Sequence, residues 1–535
     1  VLYLRFMVLD SDGRLMQKTL EDKIGQMFLV GFDGLEAPHY ILDWLAQGRI
    51  GGVILFARNV HTPQQVARLT QQCHQAAKYP ILIGIDQEGG EVARLRDGFT
   101  ESPGAMALSA AQNGIALAER MSAILGAELR ALGINWNYAP VLDITYSIEN
   151  PAVGTRSPGS DPQRVSNIAA AQVRGFQSAG IAACGKHFPG LGATPIDTHV
   201  DLPRLNTPVA QLLASDLLPY QAAIQAGVAS IMTTHTIYTA LDEHFPATLS
   251  PMIVQKLLRE ELHFQGVVTT DCMEMHAISR HFGTPQAAVH AAAAGIDLIL
   301  VSHTRSTQAD AYDKLLEAVK TGSVPLARIE EANERIQKLK AQVAITAAPD
   351  VSRIHTPDHI TFAQDAARAG TILVKTNPQI FPLKPETHYN VGVIEFASYL
   401  ESGILEVGGL TGFAQHIQNR APAFQTLALK ASHPTRASLE QANKLAAEAH
   451  ILILATRNAH LIPEELEIAR ELITIAQHTI LICLRNPYDA SVLPNADVIL
   501  CTCGGSTPSI QAAVAALFGD FTPTGILPVI MNPSV

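Results

Sequence analysis

The sequence predicts a two-part α/β protein: an N-terminal (β/α)8 barrel of the TIM type, then a C-terminal open α/β domain of flavodoxin-like, sandwich type. Three observations predict it. The 535 residues are too many for one compact core. Eight short apolar runs alternate with helix-forming stretches through the first ~340 residues. Polar side chains with chemical potential collect where those runs end, as they do on the functional face of a barrel.

The elements follow in order. Thr19–Asp22 (TLED) reads as a capping box that opens an early helix. Candidate barrel strands are Met27–Gly31, Gly52–Phe56, Ile81–Asp86, Trp136–Leu142, Ile181–His187, Ser230–His235, Val267–Asp271 and Ile296–Val301. Ile115–Ala131 supports a long helix, Gly126 being tolerated at a modest cost. A break near Ala344–Arg353 and Thr356-Pro357 separates a barrel domain at 1–345 from a second domain at 361–535, with a linker at 346–360. In the second domain, strands are expected at Gly370–Val374, Tyr389–Ile394, Ile451–Ala455, Thr479–Leu484 and Val498–Cys501, with helices including Pro463–Ala476 and Ser509–Phe518. No internal repeat stands out.

Composition narrows the function. The chain is 47% apolar and 16% charged, ample for buried cores. A net charge of −11 argues against nucleic acid or anionic membrane as partner and favours a neutral small molecule. The six cysteines are scattered and lack zinc-ligand spacing, which fits a reducing compartment and no metal. Residues Val1–Leu9 are broken by Arg5 and followed by Asp10, without the apolar core of a signal peptide, so a cytoplasmic location is expected. No run approaches the ~20 apolar residues of a membrane span. Oligomeric state is not legible.

The densest chemical signal is KHFPGLGATPIDTHVDLP, Lys186–Pro203. Asp197 and His199 lie two apart, so in extended chain they point the same way and the carboxylate can orient the imidazole for proton transfer. Taken alone, an Asp-x-His tripeptide reads more plainly as a surface turn with an incidental histidine. Adjacent Lys186 and His187 reach one ligand only if the strand ends or kinks there, and Phe188-Pro189, through a cis bond, is a candidate cause. A solvated strand end is the plainer reading of these cations. Asp271 ends an apolar run, where a helix-capping aspartate is the plainer reading.

Together these segments resemble glycoside hydrolase family 3, specifically its β-N-acetylglucosaminidase branch, whose pattern K-H-F-P-G-x-G-x4-D-x-H-x3-P is met at every fixed position. The resemblance implies a retaining exo-β-N-acetylglucosaminidase that needs no cofactor and acts on GlcNAc-containing peptidoglycan fragments. It implies Asp271 (in TDCMEM) as nucleophile and His199, oriented by Asp197, as general acid/base on a mobile loop. IDQEGGEVARL (Ile85–Leu95) is similar to the family's IDQEGGRVxRL and carries over Asp86 and Arg94 as sugar-binding residues, with Glu91 where the family commonly has Arg. NPAVGTRSPGSDP (Asn150–Pro162) implies Arg156 at the sugar, with Pro158 in place of Phe. Lys186 and His187 complete the sugar-binding set. Cys272, beside the nucleophile, departs from the family and bears on local packing and oxidation. The tail FGDFTPTGILPV (Phe518–Val529) resembles the segment that closes the family's second domain.

Other readings stay open at this stage. The same intermediate with phosphate as acceptor makes an N-acetylglucosaminide phosphorylase. His187, His199, His235 and Asp271 prompt a metal-dependent hydrolase, against which stands Phe32-Asp33-Gly34 where a His-x-His pair is usual. His235 is expected to be a packed histidine. A degenerate barrel would be a non-catalytic sugar-binding protein. Gly190–Gly192 is weak evidence for a nucleotide, and Gly504-Gly505-Ser506 before a helix is an ordinary junction or an anion site.

Overall fold

The computed structural model describes residues 18–194, 201–387, 389–396, 412–430 and 434–531. Eight parallel strands close into a barrel: β1 (Phe28–Val30), β2 (Gly52–Leu55), β3 (Leu82–Ile85), β4 (Trp136–Asn137), β5 (Ala182–Phe188), β6 (Ser230–Thr233), β7 (Val267–Cys272) and β8 (Leu298–Val301). Each is bonded to its neighbours in sequence, and β8 closes onto β1. Helical segments follow the strands and pack outside, the arrangement the alternation predicts. The early helix is capped as expected. Thr19 Oγ1 accepts from the Asp22 N–H at 3.1 Å, and the Asp22 carboxylate accepts from the Thr19 N–H. The long helix runs Gly114–Ala131.

The strand β4 is shorter than its apolar run. Its regular ladder stops at Asn137, and pairing with β5 continues irregularly, with the Cys184 N–H donating to the Ala139 carbonyl at 2.8 Å and Val141 standing opposite Lys186. Pro140, which has no N–H to give, interrupts the pairing. Trp136 is fully buried and donates its indole N–H to Ser230 Oγ at 2.8 Å.

Beyond the barrel lies a six-stranded sheet: β9 (Ile372–Lys375), β10 (Val391–Phe396), β11 (Gln425–Leu429), β12 (Ile451–Thr456), β13 (Thr479–Cys483) and β14 (Val498–Cys501). The spatial order is β9-β14-β13-β12-β10-β11, with β9 antiparallel and the other pairs parallel. Strand β11 has no counterpart among the expected strands. It is an edge strand whose residues are mostly half-exposed or exposed, so its run QTLAL carries little apolar signal. Apolar cores lie on both sheet faces, and one includes Met106, Ala107 and Ala110 from a barrel helix, so the two parts share buried surface. No helix among the described residues is long and apolar enough to cross a membrane.

Candidate active site

The barrel mouth is built from strand ends. After β3 the chain passes through Asp86 into a short hairpin with arms Gln87–Gly89 and Val92–Ala93. Asn137, ending β4, holds this hairpin. Its Oδ1 accepts from the Gln87 N–H and its amide donates to the Gln87 carbonyl, both at 2.9 Å. Gln87 Oε1 in turn accepts from the N–H groups of Arg94 and Leu95. Arg94 thus comes back over Asp86, with Nη2 3.5 Å from Oδ2.

Lys186, buried at the end of β5, lies between two carboxylates: its Nζ is 2.7 Å from Asp86 Oδ1 and 2.7 Å from Glu88 Oε1. Glu88 also receives Arg156 in a fork, Nε at 2.9 Å and Nη2 at 2.8 Å. Arg156 stands on a 3-10 turn, Gly154–Arg156, and donates to the Ala152 carbonyl and toward His187 Nε2 at 3.4 Å. His187 Nδ1 pairs with Asp143 Oδ2 at 2.7 Å, which fixes the tautomer and leaves Nε2 toward the mouth. Lys186 and His187 therefore join one network. The irregular backbone expected here is present: the Lys186-His187 and Phe188-Pro189 bonds are cis, and the register with β6 shifts between Gly185 and Phe188.

These charges are mutually sustained. Burial opposes ionisation of Glu88, but Arg156 and Lys186 outweigh it and hold the carboxyl well below the usual range. Burial likewise opposes the Lys186 ammonium, but Asp86 and Glu88 raise it above the ordinary lysine value. Arg156 is raised for the same reason, by Glu88 first among its neighbours.

Asp271 lies at the end of β7, half-buried, its Oδ1 accepting the Cys272 N–H at 2.7 Å. Asp86 and Asp271 stand at the carboxyl ends of two strands of one closed parallel barrel and so share its mouth. The buried Tyr138 hydroxyl is pushed far up by desolvation, and the neighbouring carboxylates Asp86 and Asp271 add to the shift. His235 is 1% exposed and held at both ring nitrogens, Nδ1 at 2.8 Å from Thr248 Oγ1 and Nε2 donating to the Cys272 carbonyl at 3.0 Å. It supports the backbone next to Asp271.

Asp197 and His199 fall outside the described residues. The approach to them is firmly anchored. The Asn150 amide lies 3.0–3.2 Å from the carbonyls of Leu191, Gly192 and Thr194, while its Oδ1 accepts from Ala152 and Val153. Asp143 Oδ1 accepts from the Leu191 N–H at 2.7 Å, and the Tyr238 hydroxyl donates to the Gly190 carbonyl. Glu88, Asp143 and Asn150 are not singled out by the sequence. Asp143 follows an apolar run as Asp86 does, and the same strand-end rule would have found it. Glu88 and Asn150 sit inside the quoted motifs, masked by more conspicuous neighbours. Glu91 turns from the barrel to the second domain, accepting from Gly505 N at 3.0 Å.

Among the described residues, no three or more His, Cys, Asp or Glu side chains are grouped to hold a metal ion. The described part of the site is a set of paired charges around buried carboxylates.

Comparison with known proteins agrees. Residues 19–339 match the Glycosyl hydrolase family 3 N terminal domain. A beta-hexosaminidase from Stenotrophomonas maltophilia is 40% identical over 309 residues, 57% of this chain and 90% of that protein. Beta-hexosaminidase A from Pseudoalteromonas piscicida is 34% identical over 376 residues, 65% of this chain and 63% of that one. Among solved structures, a glycoside hydrolase family 3 beta-N-acetylglucosaminidase from Paenibacillus sp. str. FPU-7 is 34% identical with a TM-score of 0.91, covering 97% of this chain and 100% of the other. With barrel and second sheet both accounted for, the chain belongs to glycosyl hydrolase family 3 and is a glycoside hydrolase.

Proposed function

We propose that this protein is a retaining exo-β-N-acetylglucosaminidase. The observation that carries the reading is Asp271 at the end of β7, on the same end of the closed parallel barrel as the Asp86–Lys186–Glu88–Arg156 network. The substrate class comes from the printed names of its relatives, beta-hexosaminidases and a beta-N-acetylglucosaminidase. In this reading residues 1–345 are the catalytic domain and 361–535 the second domain. Peptidoglycan-derived GlcNAc glycosides are the substrates and the cytoplasm the location.

Retention requires two displacements. The Asp271 carboxylate attacks the anomeric carbon, and the glycosidic C–O bond breaks as His199, protonated and oriented by Asp197, gives its proton to the leaving oxygen. Water then attacks the glycosyl ester, His199 takes its proton, and Asp271 leaves as carboxylate. An imidazolium acid becomes neutral on donating its proton, so it leaves no anion facing the next acceptor. Asp86, Arg94, Arg156, Lys186 and His187 hold the sugar. Lys186, kept charged by its two carboxylates, is a permanent donor there.

The test is incubation with a chromogenic β-GlcNAc glycoside, with and without phosphate, beside Asp271→Asn. The expected product is free GlcNAc in both buffers, with kcat reduced at least about 10³-fold in the variant. GlcNAc-1-phosphate as the product in phosphate buffer would make the enzyme a phosphorylase. Full activity in Asp271→Asn would refute the nucleophile.

A further inference from the structure

The carboxyl ends of the second domain's strands face the barrel mouth, and two consecutive residues there touch both sugar-holding loops. Arg485 and Asn486 follow β13; Arg457 and Asn458 follow β12; Gly504–Ser506 follow β14 and lead into the helix Thr507–Leu517. Glu91, at the turn of the Asp86–Arg94 hairpin, enters this edge. Its Oε1 accepts from Gly505 N at 3.0 Å, and its Oε2 lies 3.6 Å from Arg485 Nε. A side chain at 505 would crowd that approach, because a Cβ there would stand 2.9 Å from Glu91 Oε1 and 2.7 Å from Arg457 Nη1. An arginine at 91 would instead face Arg485 and Arg457.

Next to Arg485, Asn486 is 3% exposed and donates its amide to Asn458 Oδ1 at 2.8 Å. Its side chain lies against Gly154, the first residue of the turn that carries Arg156: a Cβ on Gly154 would stand 2.9 Å from both Asn486 Nδ2 and Oδ1. Gly154 has φ +43°, so a side chain there is unwelcome on both counts. Asn486 Oδ1 has no hydrogen-bond partner among the described residues, so the amide's contact with the turn is one of shape.

We propose that Arg485 and Asn486 are positioning residues of the sugar pocket: Arg485 holds the Asp86–Arg94 hairpin through Glu91, and Asn486 buttresses the turn that presents Arg156. The second domain thereby sets the geometry of the barrel's binding groups without touching the reacting atoms. This rests on Arg156 and the hairpin holding the sugar, as read above.

The test uses the full-length enzyme, a chromogenic β-GlcNAc glycoside and hydrogen exchange of peptides covering 87–94 and 150–157. Asn486→Ala is expected to lower kcat/KM about tenfold, within the range a displaced binding group costs, and to speed exchange in 150–157. In an Arg156→Lys background the same substitution should cost little further, because its effect passes through Arg156. Glu91→Arg and Arg485→Glu should each lower kcat/KM and speed exchange in 87–94, and the double exchange, which re-forms the 91–485 charge pair but not the Gly505 contact, should recover part of both losses. If Asn486→Ala fails to fold, Asn486→Ser, which keeps a polar group toward Asn458, takes its place. Wild-type kinetics and exchange in folded Asn486 variants, an undiminished loss in the Arg156→Lys background, or a double exchange no better than the single ones overturns the proposal. If the wild-type enzyme does not cleave the glycoside, the functional reading fails, and the exchange measurements still decide whether these residues order the two loops.

Discussion

Glu88 shows how the site sustains a dense cluster of charge in a buried place. Moving one ion out of water costs several kcal/mol, and only close, geometrically matched partners offset it. Glu88 has two, Arg156 in a fork and Lys186 at 2.7 Å. Glu88→Gln leaves both cations short of an anion and should destabilise the fold by about 3 kcal/mol or more, read by urea unfolding at neutral pH. The pH dependence has a definite sign. The folded carboxyl lies well below the ordinary value of 4.5, so its stabilisation is complete above that pH and is lost as pH falls beneath it. The stability gap between wild type and Glu88→Gln should therefore be widest at pH 7 and narrow progressively below about pH 4.5.

Cysteine chemistry is the opposite case. Cys272 neighbours the proposed nucleophile, which raises the prospect of oxidation, yet burial pushes its thiol up to about 11. Cys73 and Cys184 are pushed by burial to about 12. A thiol so far from its thiolate is a poor nucleophile. Iodoacetamide at pH 8 should leave the intact mass and activity unchanged, while urea-unfolded protein should take up six adducts, one per cysteine.

Among the elements, the segment running from β5 through Gly190 carries the sharpest expectation. Its base is pinned by Asn150, Asp143 and Tyr238. If His199 beyond it is the general acid, His199→Ala should slow a glycoside with a poor leaving group by about 10²–10⁴-fold. A 2,4-dinitrophenyl glycoside, which needs no proton to depart, should lose far less in the glycosylation step. Equal losses on both would remove His199 from that role.

The same segment marks where sequence reading succeeds. Each barrel strand is visible because a buried parallel strand is an unbroken apolar run, and its end is visible because a polar residue stops it. Asp86, Lys186, His187 and Asp271 are legible for that reason. Strand β4 reads too long, since Tyr138–Leu142 is apolar enough to look extended while Pro140 removes the donor that would continue the ladder. Strand β11 escapes notice because an edge strand needs no apolar run. Glu88 and Asp143 escape for a different reason: their importance lies in what they pair with, and partners 68 and 44 residues away do not show in a linear pattern.

At the scale of the whole molecule, the barrel supplies the charged mouth and the second domain closes against it. The closing contacts are specific. Besides Glu91 on Gly505, Thr507 Oγ1 donates to Glu101 at 2.6 Å, and the Ile526 N–H donates to the Ala110 carbonyl at 2.8 Å.

In the proposed mechanism a covalent step at Asp271 joins these parts into one catalyst, and it can be observed directly. The enzyme is incubated with a 5-fluoro β-GlcNAc donor bearing a good leaving group, which slows release of the sugar ester, then digested and analysed by mass spectrometry. The expected result is one fluorosugar on the peptide containing Asp271, absent from Asp271→Asn. Turnover of the donor with that peptide unlabelled, or a label on another carboxylate, would contradict the mechanism.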